Sequence, residues 1–304
     1  MIYTAVIMAG EKGKSRSILG KNKNFLEIHE KPLFFYVIKA LERAQYVGKI
    51  YIVGNAYFLK KALEKHKKEL TSKKSIKIIE EKGRLLENAL FAYQQILNDA
   101  EISYNLTEKE KKELPIFYLS GDIPLITPRE IDEFLLSCDV KRFDYFLGVS
   151  SEDSLKPFYP QKGRPGIKLS YYYTKENKYR QNNLHLIKPG MVTNKHYIQT
   201  IYDLRHQKEY YNIVLLLWEF IKVNVGIKGI YIFGLLHLNH FLARIGLEFL
   251  TSIFRYFLPK DKAIASVNRS LGTRFTTVET KTAGAALDVD SEKEYEIISK
   301  ILTA

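Results

Sequence analysis

The sequence contains a single cysteine, Cys138, in 304 residues. One thiol cannot close an internal disulfide, so folding in a reducing compartment is expected. Long apolar runs are also absent. The charge-free span between Lys228 and Arg244 is fifteen residues, whereas a membrane-crossing helix needs about 20. The first apolar residues read as a strand without a basic leader or small-residue cleavage site, so no secretory signal is expected. There is no internal repeat, no low-complexity tract, no Ser-His-Asp or Cys-His arrangement and no recognised nucleic-acid module. His185, His196, His206, His237 and His240 have no metal-ligand spacing and read as packed or surface residues. Acidic residues are the scarcer charge, 34 against 47 Lys and Arg, for a net charge of +13. Such an excess attracts anions, from nucleotides and phosphorylated substrates to nucleic acid or an acidic membrane surface. Because the basic residues are scattered, nucleic acid is the least expected of these.

What the chain does have is enough apolar material, 46%, for a substantial core. Apolar strands are expected at 3–8, 49–53, 75–79 and 116–120, with helices between them at 32–46, 56–70 and 84–99. That alternation predicts a parallel sheet with helices on both faces. Residues 100–115 read as a charged surface connection, 128–137 as a helix opened by Pro128, and FDYFLGVS as a further strand. KLSYYYT and NLHLIKP are later strand candidates. Residues 191–260 read as mostly helical. There His237, His240, Arg244, Glu248, Thr251 and Arg255 recur every three or four positions, as one polar stripe on a helix that is otherwise apolar and buried.

Two acidic motifs carry the chemistry. FYLSGDIPLIT is an apolar strand that delivers Asp122 to the carboxyl edge of a sheet, where α/β proteins bind ligands. ALDVDSEKEYE places Asp288 and Asp290 before a final helix, where they could equally act as helix caps. At the amino terminus, TAVIMAGEKGKSR runs from a strand into a glycine-containing basic turn, an arrangement suited to polyphosphate.

These motifs, in this order, resemble the nucleotidyltransferase superfamily, in particular its molybdenum cofactor guanylyltransferase-like (MobA-like) group. The opening pattern stands here as M-A-G-E-K-G-K-S-R, followed by Lys23-Asn24-Phe25-Leu26 and Glu30-Lys31-Pro32-Leu33. G-D-x-P-L is intact at 121–125, and the closing D-x-D motif matches 288–295. The resemblance covers about residues 1–150 and 275–304. It implies a Rossmann-like, doubly wound, mostly parallel α/β sheet of the GT-A-like kind. It also implies transfer of a nucleoside monophosphate from a triphosphate to a phosphorylated acceptor, dependent on Mg²⁺. Asp122 and Asp290 would hold the metal. Lys23 and Arg16 would act with Asp122 in catalysis, and Ala9, Gly10, Gly13, Lys14, Lys23 and Gly121 would line the triphosphate. Gly83 and Asn88 fall where the family holds base or ribose. Arg180, Asn182, Asn183 and His185 fall where relatives bind the acceptor. Glu11 departs from the family's second glycine and Arg16 is displaced by one residue.

The expected organisation is a nucleotide-binding core at 1–150, an acceptor region at 151–211, an added helical subdomain at 212–260 and a return to the core at 261–304. The helical part would supply its own small core or a homodimer interface. Alternatively it would rest on an anionic membrane surface through Phe241, Phe249, Phe254 and Phe257. The expected location is cytoplasmic, or peripheral at the inner membrane face. Two other functions fit the motifs: a GT-A-type glycosyltransferase, since Asp288-Val289-Asp290 is a D-x-D, and a nucleotide-binding protein weakened by Glu11.

Overall fold

A computed structural model describes residues 1–10, 17–71, 74–103, 106–163, 165–167, 169–199 and 226–303. Its sheet is built from β1 (Tyr3–Met8), β2 (Val47–Gly54), β3 (Ile76–Glu80), β4 (Ile116–Ser120), β5 (Tyr145–Ser151), β6 (Tyr172–Tyr173), β7 (Lys178–Ile187) and β8 (Phe275–Thr280). The strands are ordered β8-β5-β7-β4-β1-β2-β3, with β6 paired to β7. β1 is parallel to β2 and β4, β2 to β3, and β5 to β8. Only β7 runs against β4, β5 and β6. The sheet is thus mostly parallel.

The helices are α1 (Leu33–Arg43), α2 (Ala56–Lys65), α3 (Leu85–Leu97), α4 (Ala100–Ser103), α5 (Glu108–Glu113), α6 (Pro128–Leu136), α7 (Glu152–Leu155), α8 (Gly226–Arg244), α9 (Glu248–Phe254), α10 (Lys260–Leu271) and α11 (Glu292–Thr303). Alternation along β1 explains the layering. Ala5 and Ile7 join Phe34, Ile38, Phe117 and Phe134 beneath α1 and α6. Val6 faces the other way, with Val53, Ile79, Ala92 and Ile96 beneath α3. Strands covered on both faces read as continuous apolar runs, which is why their positions match the sequence reading. α11 packs through Ile297 and Ile298 on Leu33, Leu287 and Val289.

Several elements differ from expectation. The 100–115 connection contains α4 and α5, the latter started by Thr107, which accepts from Glu110 N at 3.3 Å while Glu110 reaches back to Thr107 N. This is a capping box. KLSYYYT yields only β6. NLHLIKP is the end of a longer strand, so β7, from the stretch assigned to the acceptor region, lies inside the sheet between β4 and β5. The long apolar helix is also broken. Gly246, with φ +82°, ends α8 and lets α9 start in a new direction. The polar stripe therefore divides among α8, α9 and the short turn Arg255–Phe257.

Nor is that region buried. Ile232, Leu235 and Leu258 form a small core, but Tyr231, Phe241, Ile245, Phe249, Ile253, Tyr256 and Phe257 are exposed. Among the described residues, no helix is long and apolar enough to cross a membrane.

Candidate active site

The sheet order places β1 beside β4 while the chain first proceeds to β2 and β3, so the strand order reverses between β1 and β4. Crevices beyond the carboxyl ends of strands at such a reversal are where open α/β sheets bind ligands. Ala9 and Gly10 leave β1 there, and Gly121 and Asp122 leave β4. Ala9 N donates to the Val53 carbonyl at 2.8 Å and Gly121 N to that of Met8 at 3.1 Å. A side chain at Gly121 would meet Asn24 Oδ1 at 2.7 Å, so only glycine lets the Lys23–Phe25 turn pack this closely.

That turn delivers Lys23. Its ammonium contacts Asp122 Oδ2 and lies 2.6 Å from Asp290 Oδ1. Burial alone would lower the Lys23 pKa, but the two carboxylates outweigh it and hold the group above the ordinary lysine value. Ser120 donates a hydrogen bond to Asp122 Oδ1. Val289 N donates to the Asp122 backbone carbonyl at 3.0 Å, tying the two acidic motifs together.

The two carboxylates of D-x-D have different partners. Asp290 faces Lys23, whereas Asp288 Oδ1 is 3.0 Å from Arg180 Nη2. Burial first, then the charge of Asp290, pushes the Asp288 carboxyl up to about 6, against the pull of Arg180. Arg180 also donates from Nε to the Ala286 carbonyl at 2.9 Å, and Asn183 Nδ2 to that of Ala285 at 3.0 Å.

The reversed direction of β7 decides which acceptor candidates reach this edge. Its beginning lies at the carboxyl end of β5, with Arg180 opposite Ser150, and its end lies at the opposite end of the sheet, with Ile187 opposite Tyr145. Arg180 and Asn183 consequently border the acidic return. His185 Nδ1 instead pairs with Tyr145 Oη at 3.0 Å. Asn182 is 1% exposed, with Nδ2 on Thr280 Oγ1 and Ser150 Oγ. In this structure both side chains are engaged elsewhere, Asn182 in the buried contacts between β5 and β8 and His185 with Tyr145.

Gly83 and Asn88 sit at the carboxyl end of β3. Asn88 Oδ1 accepts from Lys82 N at 2.8 Å and Gly83 N at 3.1 Å, closing the turn before α3. Asn88 is buried, and its Nδ2 donates to the Gly83 carbonyl at 3.0 Å, so it braces this loop. A side chain at Gly10 would meet Glu81 Oε2 at 2.7 Å and Asn88 Nδ2 at 3.1 Å. Glu81, Asn24 and Ser120 are neighbours of the site that the motifs did not single out. Of these, Ser120 was legible, two positions before Asp122. Glu11, Gly13, Lys14 and Arg16 lie outside the described residues.

The donor chemistry fits a small, hard cation. Two carboxylate oxygens from distant segments converge on one positive charge, which the Lys23 ammonium supplies in this structure. Among the described residues, no set of three or more His, Cys, Asp or Glu converges. The protein itself would thus contribute two carboxylates.

In sequence, neither the protein-family models nor the curated proteins give a match to this chain. Solved structures do. A hypothetical transferase from Thermus thermophilus superposes with a TM-score of 0.62 at 18% identity, covering 97% of this chain and 99% of that one. A 4-diphosphocytidyl-2C-methyl-D-erythritol synthase gives 0.52 at 11% identity, over 99% and 98% of the two chains. The synthase of the same name from Anaerococcus prevotii gives 0.50 at 9% identity, over 100% and 96%. The chain therefore has the Rossmann-like, mostly parallel α/β fold of these structures.

Proposed function

We propose that this chain is an NTP-dependent nucleotidyltransferase of the MobA-like kind, acting on a phosphorylated small-molecule acceptor with Mg²⁺. The observation that carries the reading is the convergence of Lys23, Asp122 and Asp290 at the strand-order reversal, beside the loop that leaves β1.

In the reaction, an acceptor phosphate oxygen attacks the α-phosphorus. The new O–P bond forms as the bond to the bridging oxygen of the β-phosphate breaks, and pyrophosphate leaves. Phosphate is largely ionised at neutral pH, so no residue needs to act as general base. Asp122 and Asp290 would hold Mg²⁺, which when bound neutralises charge on the phosphates. Lys23, freed from the carboxylates, pairs its ammonium with phosphate oxygens, and the backbone around Gly10 lets the triphosphate approach closely. Arg180 and Asn183, at the edge of the acidic return, face the acceptor side. The separate partners of Asp288 and Asp290 favour nucleotidyl transfer over a glycosyltransferase that would use both carboxylates of a D-x-D on one metal.

The test is pyrophosphate release from each nucleoside triphosphate with Mg²⁺. Asp122→Asn and Asp290→Asn are each expected to remove about 99% of turnover, in the range of one lost electrostatic contact in catalysis, with melting temperature little changed. Near-normal release by either variant would refute that residue's role.

A further inference from the structure

Glu130 is a carboxylic side chain with no solvent exposure and, among the described residues, no ion-pair partner. It lies in the first turn of α6, after Asp122, and reaches the Gly284–Ala286 turn that precedes Asp288 and Asp290. Both of its oxygens lie 3.2 Å from Ala285 N. The turn is packed tightly against this contact. A Cβ at Gly284 would lie 2.2 Å from the Leu125 carbonyl oxygen and 3.0 Å from Glu130 Oε2. One side chain thus links the helix after the first acidic motif to the turn before the second.

Counting protons identifies its state. Thr280 Oγ1 stands 3.4 Å from Glu130 Oε1, but its single proton has a nearer acceptor in the Thr282 carbonyl at 2.8 Å. With that proton directed to Thr282, Thr280 Oγ1 is an acceptor, already receiving Asn182 Nδ2 at 3.2 Å. Two oxygens facing each other without a proton repel. A hydrogen on Glu130 satisfies both, while its carbonyl oxygen still accepts from the backbone N–H groups of Ala285 and Gly284, which moderate the effect of burial. The surroundings agree. Glu133, on the same helix, adds negative charge, and Lys281 contributes its backbone N–H to Glu133 at 3.3 Å. Across the turn, Arg180 is engaged with Asp288 and the Ala286 carbonyl. Burial, the largest influence, pushes the Glu130 carboxyl up to about 7.

We propose that Glu130, as a neutral acid, is a positioning residue that locks the Gly284–Ala286 turn and so holds Asp290 opposite Asp122. The proposal rests on the metal-dependent reading above. It makes Glu130→Gln, whose amide N–H replaces the acid O–H, a functional mimic, and Glu130→Ala a loss.

Three readouts test it: Mn²⁺ affinity of the nucleotide-free protein, pyrophosphate release, and melting temperature against pH. Glu130→Gln is expected to match the wild type within about threefold in Mn²⁺ affinity and kcat. Glu130→Ala is expected to bind Mn²⁺ about tenfold more weakly, the usual loss when a group orienting a metal ligand is removed, with kcat lowered and KM for the triphosphate unchanged. A carboxyl raised from 4.5 toward 7 by folding gives stability present below 4.5 and lost as pH rises through 7. The wild type should therefore lose melting temperature across that interval, and Glu130→Gln should not.

Unchanged Mn²⁺ affinity in Glu130→Ala, a tenfold loss in Glu130→Gln, or equal pH slopes in wild type and Glu130→Gln would each overturn the proposal. If Glu130→Ala does not fold, the two Glu130→Gln criteria decide alone. A wild type that releases no pyrophosphate would instead refute the functional reading, and one that binds no Mn²⁺ would refute both.

Discussion

Lys23 faces two carboxylates, and this pairing has a measurable consequence. Asp122 is 2% exposed, so removing the ammonium leaves a buried charge uncompensated, at a cost of about 3 kcal/mol. Lys23→Met is expected to lower the melting temperature in metal-free buffer, to regain most of the loss in Mg²⁺ or Mn²⁺, and to turn over slowly. A loss that divalent cations do not reverse would mean that the carboxylates are no cation site. Lys23, Asp122 and Asp290 were legible as motif positions. Their mutual contact was not, because a motif specifies spacing along the chain and not which charges meet in the fold. Glu130 was hidden for another reason. An acid in the first turn of a helix is expected from the helix dipole alone, and only the partner turn, about 155 positions away, reveals its use. Asn182 and His185 were grouped with Arg180 and Asn183 as one polar run, because the register shift of β7 against β5 between Gln181 and His185 has no signature in the residues themselves.

Elements covered by apolar layers on both faces were readable to within a residue or two, as β1 and β4 show. β7 was not, since its first half is polar where it borders the site and its reversed direction leaves no local trace. Its far end, however, is fixed by charge. Asp144 precedes β5, accepts from Arg274 Nε and Nη2 at 2.6 Å each, and meets Lys188 Nζ at 3.0 Å. Three strand ends, β5, β7 and β8, are joined at one carboxylate. Asp144→Ala would leave Lys188, itself buried, without its counter-charge and is expected to destabilise the protein by about 3 to 5 kcal/mol, read by urea unfolding. Burial would raise the Asp144 pKa, but Arg274 and Lys188 outweigh it and hold it below 3.8. The linked stability is therefore present above pH 3.8 and lost as pH falls through the folded value. Asp144→Asn should flatten acid unfolding in that interval. The helix break at Gly246 escaped the sequence reading because the polar stripe keeps its spacing across it, and a periodicity argument has no sense of direction.

For the molecule as a whole, two surface properties oppose each other. The charge of +13 keeps copies apart, while the exposed Tyr231, Phe241, Phe249, Tyr256 and Phe257 favour contact. Screening shortens from about 10 Å at 0.1 M salt to about 3 Å at 1 M, so self-association is expected to strengthen as salt is added. Sedimentation velocity across that range measures this, and the Phe249→Glu, Phe257→Glu double variant should stay monomeric throughout. Association that weakens with salt would place the contact among charged groups instead. The bond between Lys23 and Asp290 spans 267 positions, and this has a bearing on synthesis. A chain leaving the ribosome at about 5 to 20 residues per second exposes Lys23 and Asp122 many seconds before Asp290. Through that interval the lysine has one carboxylate instead of two, the β5 edge awaits β8, and the site has yet to close. Translation order thus makes the second acidic motif the last part of the site to arrive, and a nascent chain stopped before it would carry Lys23 and Asp122 without their third charged partner.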